Sequence, residues 1–309
     1  MSEYHRPIMA GEVIKGLALK ESGVYFDGTA GGGGHSYAIL SSNPTVTLVA
    51  TDKDTEAIQE ADKRLAQFKG RYKLHHSDFK NFKEVFEEEG IEKIDGFLLD
   101  LGISSHQIDD EKRGFAYRLK NAPLDMRMDQ SKAFSAKDVV NTYSEEALKR
   151  VLKEYGEERF AGNIAKSIVR CRQKQPIQTC GDLESIIRSS IPAKLRSAAC
   201  ARQSFQAIRI EVNGELEGLG ECIRGLVTAL KKGGRGCILT FHSLEDRIVK
   251  QTFKDLATGC TCPKEFPVCV CGRKEQIKLL GRYTAGEEEI QENSRSKSAK
   301  LRVIEKISE

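Results

Sequence analysis

No stretch of this chain is apolar for long enough to cross a bilayer. The longest apolar runs are short, and residues 46–50 are already interrupted at Thr47, whereas a spanning helix needs about 20 such residues. The opening MSEYHRPIMAGEVIKGL has no basic start followed by an apolar core, so no removable export signal is read there. A surplus of one charge is missing too: 49 Lys and Arg nearly balance 45 Asp and Glu, which excludes a disordered polyelectrolyte. No internal repeat or long low-complexity segment is present. Nine cysteines, an odd number without an export signal, are expected as reduced thiols of a cytosol rather than a disulfide framework. With 309 residues, 39% apolar content and 27 glycines, the expectation is a cytoplasmic globular protein of about two domains.

The charge balance hides a local excess. Residues 149–209 hold 13 Lys and Arg against 5 Asp and Glu, a net of +8, leaving 36 against 40 elsewhere, a net of −4. A basic module beside a mildly acidic remainder suits a polyanionic partner, although a solvated helical surface gives the same count.

The first hundred residues alternate as βαβ units. Strands are expected at 24–30, 47–52, 72–76 and 94–100, with helices at 35–42, 55–68 and 79–89 between them. This alternation predicts a mostly parallel sheet covered by helices on both faces. From Arg113 to about Ile208 no strand is expected. Apolar stripes at Leu148, Val151, Leu152 and Tyr155, at Phe160, Ile164 and Ile168, and at Leu183, Ile186 and Ile187 predict helices, the last behind a cap at Thr179 or Asp182. A long helix follows over 205–230 and stops at the Lys-Lys-Gly-Gly of 231–234. A strand at 235–241, a helix at 244–256 and a last strand at 299–307 complete the sheet. The expected domains are therefore residues 1–112 with 210–309, interrupted by a helical insertion at 113–209.

Two familiar nucleotide motifs are absent. Residues 27–36 read DGTAGGGGHS, which is neither the spaced dinucleotide fingerprint nor, lacking Lys-Ser/Thr, a phosphate-binding P-loop. Four consecutive glycines between a strand and a helix still let backbone approach a ligand closely. Asp52 ends the second strand, where a carboxylate can accept both hydroxyls of a ribose. Together they point to a nucleoside-containing cofactor, the alternative being a tight structural turn with Asp52 as a helix cap. His35 stands at the first turn after the glycines, and Phe79 follows the third strand, where an adenine would lie. Asp100 ends the fourth strand and opens DLGISSHQID, facing the ligand crevice. Enzymes that methylate exocyclic amines usually carry Asp/Asn-Pro-Pro-aromatic in this slot; here Leu101, Gly102 and Ile103 follow the acid.

HRP at 5–7, DGTAGGGGHS, DLGISSHQID, RGFAYRLKNAPLDMRMD at 113–129, YGEERFAGNIA at 155–165, FQAIRIEVNGEL at 205–216 and FHSLEDRIVK at 241–250 resemble, in order, the bacterial ribosomal RNA small subunit methyltransferase H family, also called MraW. The resemblance implies an α/β, Rossmann-like class I methyltransferase with an inserted all-helical domain. It implies methyl transfer from S-adenosylmethionine to the exocyclic N4 of a cytidine in the decoding region of 16S rRNA, within the 30S subunit. Carried over, the cofactor contacts are Gly33, Gly34, His35, Asp52 and Phe79, with Asp100 and Gln107 near the methionine end. Before FQAIRI, Ala199-Cys200 replaces the His-Pro of many members, which puts a local turn or RNA contact in doubt.

For catalysis the expected polar partner of the target amine is Asp100, assisted by Ser104 and Ser105, with His242 orienting the base unless FHSLED only caps a helix. The cations and aromatics of 113–127 can hold phosphates and stack a base, or plug the core with Leu124, Met126 and Met128. Cys260, Cys262, Cys269 and Cys271 form C-x-C-x6-C-x-C, tighter than usual zinc spacings, so an unmetallated thiol loop is expected and no metal is assigned. Whether the chain forms a homodimer is left open by the residues. The competing readings are a methyltransferase for another nucleobase amine, in DNA or tRNA, and an RNA-binding assembly factor without turnover.

Overall fold

The computed structural model describes residues 7–263, 268 and 270–309. Helix α1 (Ala10–Leu17) precedes β1 (Val24–Asp27), and α2 (Gly34–Ser42) leads to β2 (Thr47–Asp52). Helix α3 (Thr55–Leu65), capped by the Asp54 carboxylate accepting from the Glu56 N–H, leads to β3 (Tyr72–His76). Helix α4 (Phe82–Glu88) precedes β4 (Ile94–Asp100). Six helices follow without a strand: α5 (Ser105–Asp109), α6 (Ala136–Thr142), α7 (Glu145–Glu154), α8 (Ala161–Arg172), α9 (Cys180–Ser190) and α10 (Arg202–Asn213). The chain then returns through α11 (Leu219–Ala229), β5 (Leu230–Thr240), α12 (Ser243–Leu256), β6 (Ile277–Thr284), α13 (Glu287–Glu292) and β7 (Lys300–Lys306).

The strands form one sheet in the order β3-β2-β1-β4-β5-β7-β6. β7 alone runs against the others, antiparallel to both β5 and β6. Successive side chains of a strand point to opposite faces, and here each face has its own core. Tyr25, Leu48, Leu98 and Leu239 pack with Val13, Leu17 and Ile39. Phe26, Val49, Phe97 and Ile238 pack with Phe82, Ile223 and Phe253. Burial on both faces explains why these strands read as continuous apolar runs.

Chain contacts define two compact units, one comprising the residues up to Gly102 with Gly218–Glu309 and the other Ile103–Glu217. The boundaries thus fall at 102/103 and 217/218, not at 112/113 and 209/210 as the sequence suggests. Ile103 packs against the helical core, and Asn213 binds the Met126 carbonyl and the Met128 N–H, both at 2.7 Å. The margins therefore belong to the insertion. Thr179 caps α9 while Asp182 reaches back to the Thr179 N–H, so both cap candidates act in one capping box.

Three expectations need correction. The apolar spacing over 205–230 suggests one helix, but Gly214 (φ 56) and Gly218 (φ 66) divide it into α10 and α11. β5 begins at Leu230, since the register passes from Ile94↔Leu230 to Gly96↔Arg235 and the Lys-Lys-Gly-Gly loops out inside the strand. β6 was not expected, because it is an edge strand with mostly exposed or half-buried residues and no alternating stripe.

Candidate active site

β1, β2 and β4 carry Asp27, Asp52 and Asp100 at their carboxyl ends. Ligands of open parallel sheets bind beyond this edge where the strand order reverses, here between β1 and β4. Past β1 the chain turns through its glycines. Gly33 (φ 77) is the left-handed N-cap of α2, and a Cβ there would stand 3.1 Å from the Ala61 Cα. Conformation and close approach both require glycine. At Gly31 a Cβ would meet nothing within 4 Å, so the outer side of the turn is open.

Asp52 is half-buried beside this turn. Its Oδ2 accepts from the Gly31 N–H at 2.8 Å and its Oδ1 from the Asp54 N–H at 2.9 Å. A carboxylate offers about four acceptor sites, so each oxygen keeps one for a ribose hydroxyl. Burial pushes this carboxyl up to about 6, against the two backbone hydrogen bonds. It both ties the glycine turn and stays available to a ligand.

Asp27 is completely buried, accepting from the Ser36 hydroxyl at 2.7 Å and from the Thr29 N–H at 3.1 Å. Burial raises its pKa, opposed by the Ser36 bond and by His35. Thr29 in turn accepts from the Asp100 N–H at 2.6 Å, joining the ends of β1 and β4. The motif alone assigns Asp27 no role; an acid at a strand end directly before a glycine turn is the signal that marks it. His35 is 5% exposed, and its Nε2 lies 3.5 Å from Asp100 Oδ2. Burial alone would lower the His35 pKa, but Asp100, Asp27 and Glu289 together hold it above the ordinary imidazole value. His35 Nδ1 and Asp100 Oδ1 have no hydrogen-bond partner among the described residues although both are shielded from solvent, and His35 Nε2 has only the long 3.5 Å contact with Asp100 Oδ2. Buried polar atoms left so cost about 1–3 kcal/mol each. They mark a place where a ligand completes the bonding.

The other expected residues divide. Phe79 is 9% exposed and belongs to the core that holds Phe26 and Val49. It follows Asp78, which pairs with Lys53 at 2.8 Å. His242 caps α12, and its Nε2 lies 3.0 Å from Oε1 of the buried Glu245. Glu245 also accepts from the Phe241 and His242 N–H groups, so this histidine is fixed by a reciprocal cap that sequence reasoning named as its alternative. Ser104, Ser105 and Gln107 lie in the helical unit. The Ser104 hydroxyl accepts from the Gln107 N–H and the Gln107 side chain accepts from the Ser104 N–H, a capping box for α5.

The basic–aromatic segment is largely internal to its unit. Arg113 is 1% exposed and donates to the Arg127 and Met128 carbonyls at 3.0 Å each. Arg127 forks onto Asp125, and Arg118 pairs with Asp109. Phe115, Leu124, Met126 and Met128 belong to the helical core. The core-plugging reading describes them, because Met126 N–H and the Arg113 carbonyl close the loop on itself at 3.0 Å. The basic excess of 149–209 behaves otherwise: apart from Arg172 and Arg209, every Lys and Arg there is exposed. Arg172 binds the Val140 and Tyr143 carbonyls, and Arg209 forks onto Glu215.

A sheet of this order with only β7 reversed is the class I methyltransferase arrangement, and its crevice here presents acids and a glycine turn suited to a nucleoside cofactor. Residues 2–307 match the profile of the MraW methylase family, and the chain belongs to that family. It is 50% identical over 307 residues to "Ribosomal RNA small subunit methyltransferase H 2" of Agathobacter rectalis, covering 98% of each chain. The protein called "Ribosomal RNA small subunit methyltransferase H" in Geobacter sp. strain M21 is 50% identical over 309 residues, covering 98% of this chain and 99% of the other. Its namesake in Clostridioides difficile strain 630 is 48% identical over 312 residues, covering 99% and 100%.

Proposed function

We propose that this protein transfers a methyl group from S-adenosylmethionine to the exocyclic N4 of a cytidine in the decoding region of 16S rRNA, in the cytoplasm, with the RNA held in the 30S subunit. The observation that carries the reading is identity near one half, over essentially the whole chain, to relatives named ribosomal RNA small subunit methyltransferase H. The reading needs only one chain, so a homodimer forms no part of it.

The residues present fit the cofactor, since His35 Nδ1 and Asp100 Oδ1 are shielded without a hydrogen-bond partner among the described residues, and the open side of Gly31 adjoins Asp52, the acid that suits a ribose. When bound, its sulfonium supplies an activated methyl and its own leaving group. Asp52 accepts from the ribose hydroxyls, the backbone at Gly33 and Gly34 admits the amino-acid portion without a side chain, and Phe79 lines the adenine. Asp100 Oδ2 is engaged by His35, which leaves Oδ1 to accept an N–H of the cytidine amine and later its proton. Holding that amine in line is worth far more than chemical activation for a methyl that arrives activated. Within the helical unit the Ser104 hydroxyl and the Gln107 carbonyl are committed to the cap of α5, which leaves Ser105 as the serine of that pair for the assisting role. His242, clamped by Glu245, gives the rim beyond β5 a fixed shape for the base. The exposed cations of the helical unit hold rRNA phosphates, and an unpaired cytidine is turned out at low unstacking cost.

The test is methyl transfer onto purified 30S subunits and onto naked 16S rRNA, with the modified nucleoside identified by mass spectrometry. N4-methylated cytidine formed on 30S subunits is the expected product. A labelled product that is a different nucleoside, or cofactor binding without turnover on either substrate, overturns the reading in favour of another base or of an assembly factor.

A further inference from the structure

Three thiols that methyl transfer does not use come together between α12 and β6. The sulfurs of Cys260, Cys262 and Cys271 all lie within 4.8 Å of one another, and Cys260 Sγ is 3.7 Å from Cys271 Sγ. A disulfide needs sulfurs about 2.05 Å apart. Thiolates around a tetrahedral zinc, each about 2.3 Å from the ion, stand roughly 3.8 Å from one another. The separation is that of ligands sharing an ion. We propose that Cys260, Cys262 and Cys271 bind a zinc ion that joins the chain leaving α12 to the chain entering β6.

The backbone prepares this convergence. The returning end of the excursion is tied to the last turn of α12, since the Gln276 N–H donates to the Leu256 carbonyl at 2.9 Å and Arg273 Nη2 donates to the Asp255 carbonyl at 3.1 Å. Gly272, at φ 63, reverses the chain directly after Cys271. The tight C-x-C spacing at 260–262 is accommodated because that pair follows the end of α12 and meets the third thiol where the chain returns toward β6. Among the described residues of this segment, Val268 and Val270 are 70% and 74% exposed and pack in no core. Small excursions without a core are commonly stapled by metal or disulfide.

The remaining thiols provide a contrast. Burial pushes the thiols of Cys180 and Cys222 up to about 12, so they stay protonated packing groups. Cys260 and Cys271 are exposed and Cys262 is half-buried, open to an ion from solvent. On binding, each of the three S–H groups gives its proton to solvent as the Zn–S bond forms, releasing three protons per ion and leaving every oxidation state unchanged. Cys269, the fourth cysteine of the motif, lies outside the described residues.

The experiment measures zinc in the full chain, purified without a metal-affinity tag or chelator, by mass spectrometry of the metal and by release to a chromogenic chelator as thiols are titrated with a mercurial. About one zinc per chain is expected, falling at least about tenfold in Cys260→Ser and in Cys271→Ser. Cobalt in place of zinc is expected to give thiolate-to-metal charge transfer in the near ultraviolet and the intense visible bands of a tetrahedral site. Affinity for S-adenosylmethionine within about twofold of the parent reports that the variants fold, and mercurial-triggered release reads the site in the unaltered chain if they do not. A chain that keeps less than about 0.1 ion after incubation with equimolar zinc and dialysis overturns the proposal, as does full zinc content in both variants.

Discussion

His35 Nε2 lies 3.5 Å from Asp100 Oδ2, which joins the first turn of α2 to the end of β4 across the strand-order reversal. The buried imidazole keeps a raised pKa because three carboxylates face it, those of Asp100, Asp27 and Glu289. His35 faces one oxygen of Asp100 and leaves the other for a ligand. The pair is thus a positioning device whose parts come from elements far apart in the chain.

Asp100→Asn is expected to lower turnover on the order of 100-fold, the loss typical of removing one preorganised electrostatic partner. The melting temperature should move by only a few degrees, since this side chain is 27% exposed and its backbone N–H keeps Thr29. Single-turnover kinetics beside thermal unfolding check both parts. Full activity in the variant removes Asp100 from the chemistry.

The raised carboxyl of Asp52 predicts a pH dependence with a definite sign. An acid at about 6 in the folded chain and near the ordinary carboxylate value when unfolded binds its proton more tightly in the native state. The native state is therefore favoured by this group at low pH, and that favour is lost as pH rises toward and through 6. Ribose hydroxyls donate best to the ionised form, so cofactor affinity should fall as pH drops below about 6, by up to about tenfold per unit. Calorimetry should also show proton release on binding near pH 6, and Asp52→Asn should bind about 1–3 kcal/mol more weakly with a flat profile. A pH-dependent Asn variant assigns the titration to another group.

Arg113→Ala should destabilise the chain by about 2–4 kcal/mol by stranding two carbonyls inside the helical core. Lysine should recover part of the loss, because both the Arg127 and Met128 carbonyls accept from the single nitrogen Nη2 and an ammonium carries three donors. Chemical denaturation measures this directly. Weakened RNA binding with unchanged stability would return Arg113 to the RNA surface.

Arg170→Glu with Lys174→Glu reverses two exposed cations of the helical unit while sparing Arg172, which holds the Val140 and Tyr143 carbonyls. The KM for 30S subunits should rise, and the salt dependence of binding should flatten by roughly one to two released ions. Calorimetric affinity for S-adenosylmethionine should not change. If KM and salt slope both stay fixed, these helices are only a solvated surface.

What the sequence by itself determined is local or directly patterned. The first four strands follow from short apolar runs, the insertion from helical stripes between Arg113 and Ile208, and the cofactor edge from Asp27–Gly34 and the acids that end the strands. Such features survive because they depend on residues within a few positions of each other, and the family motifs span the same blocks. The tertiary structure decided which polar groups are spent internally. Arg113 looks like a phosphate ligand until the carbonyls of Arg127 and Met128, 14 and 15 residues on, enclose it. Ser104, Gln107 and His242 are named by sequence as site groups but are paired first in helix caps, the first two with each other and His242 with Glu245. His35 meets Asp100, and Cys260 meets Cys271, only because the fold closes the distance. Periodicity records burial, whereas the partner of a charge is fixed by contacts that no local pattern contains.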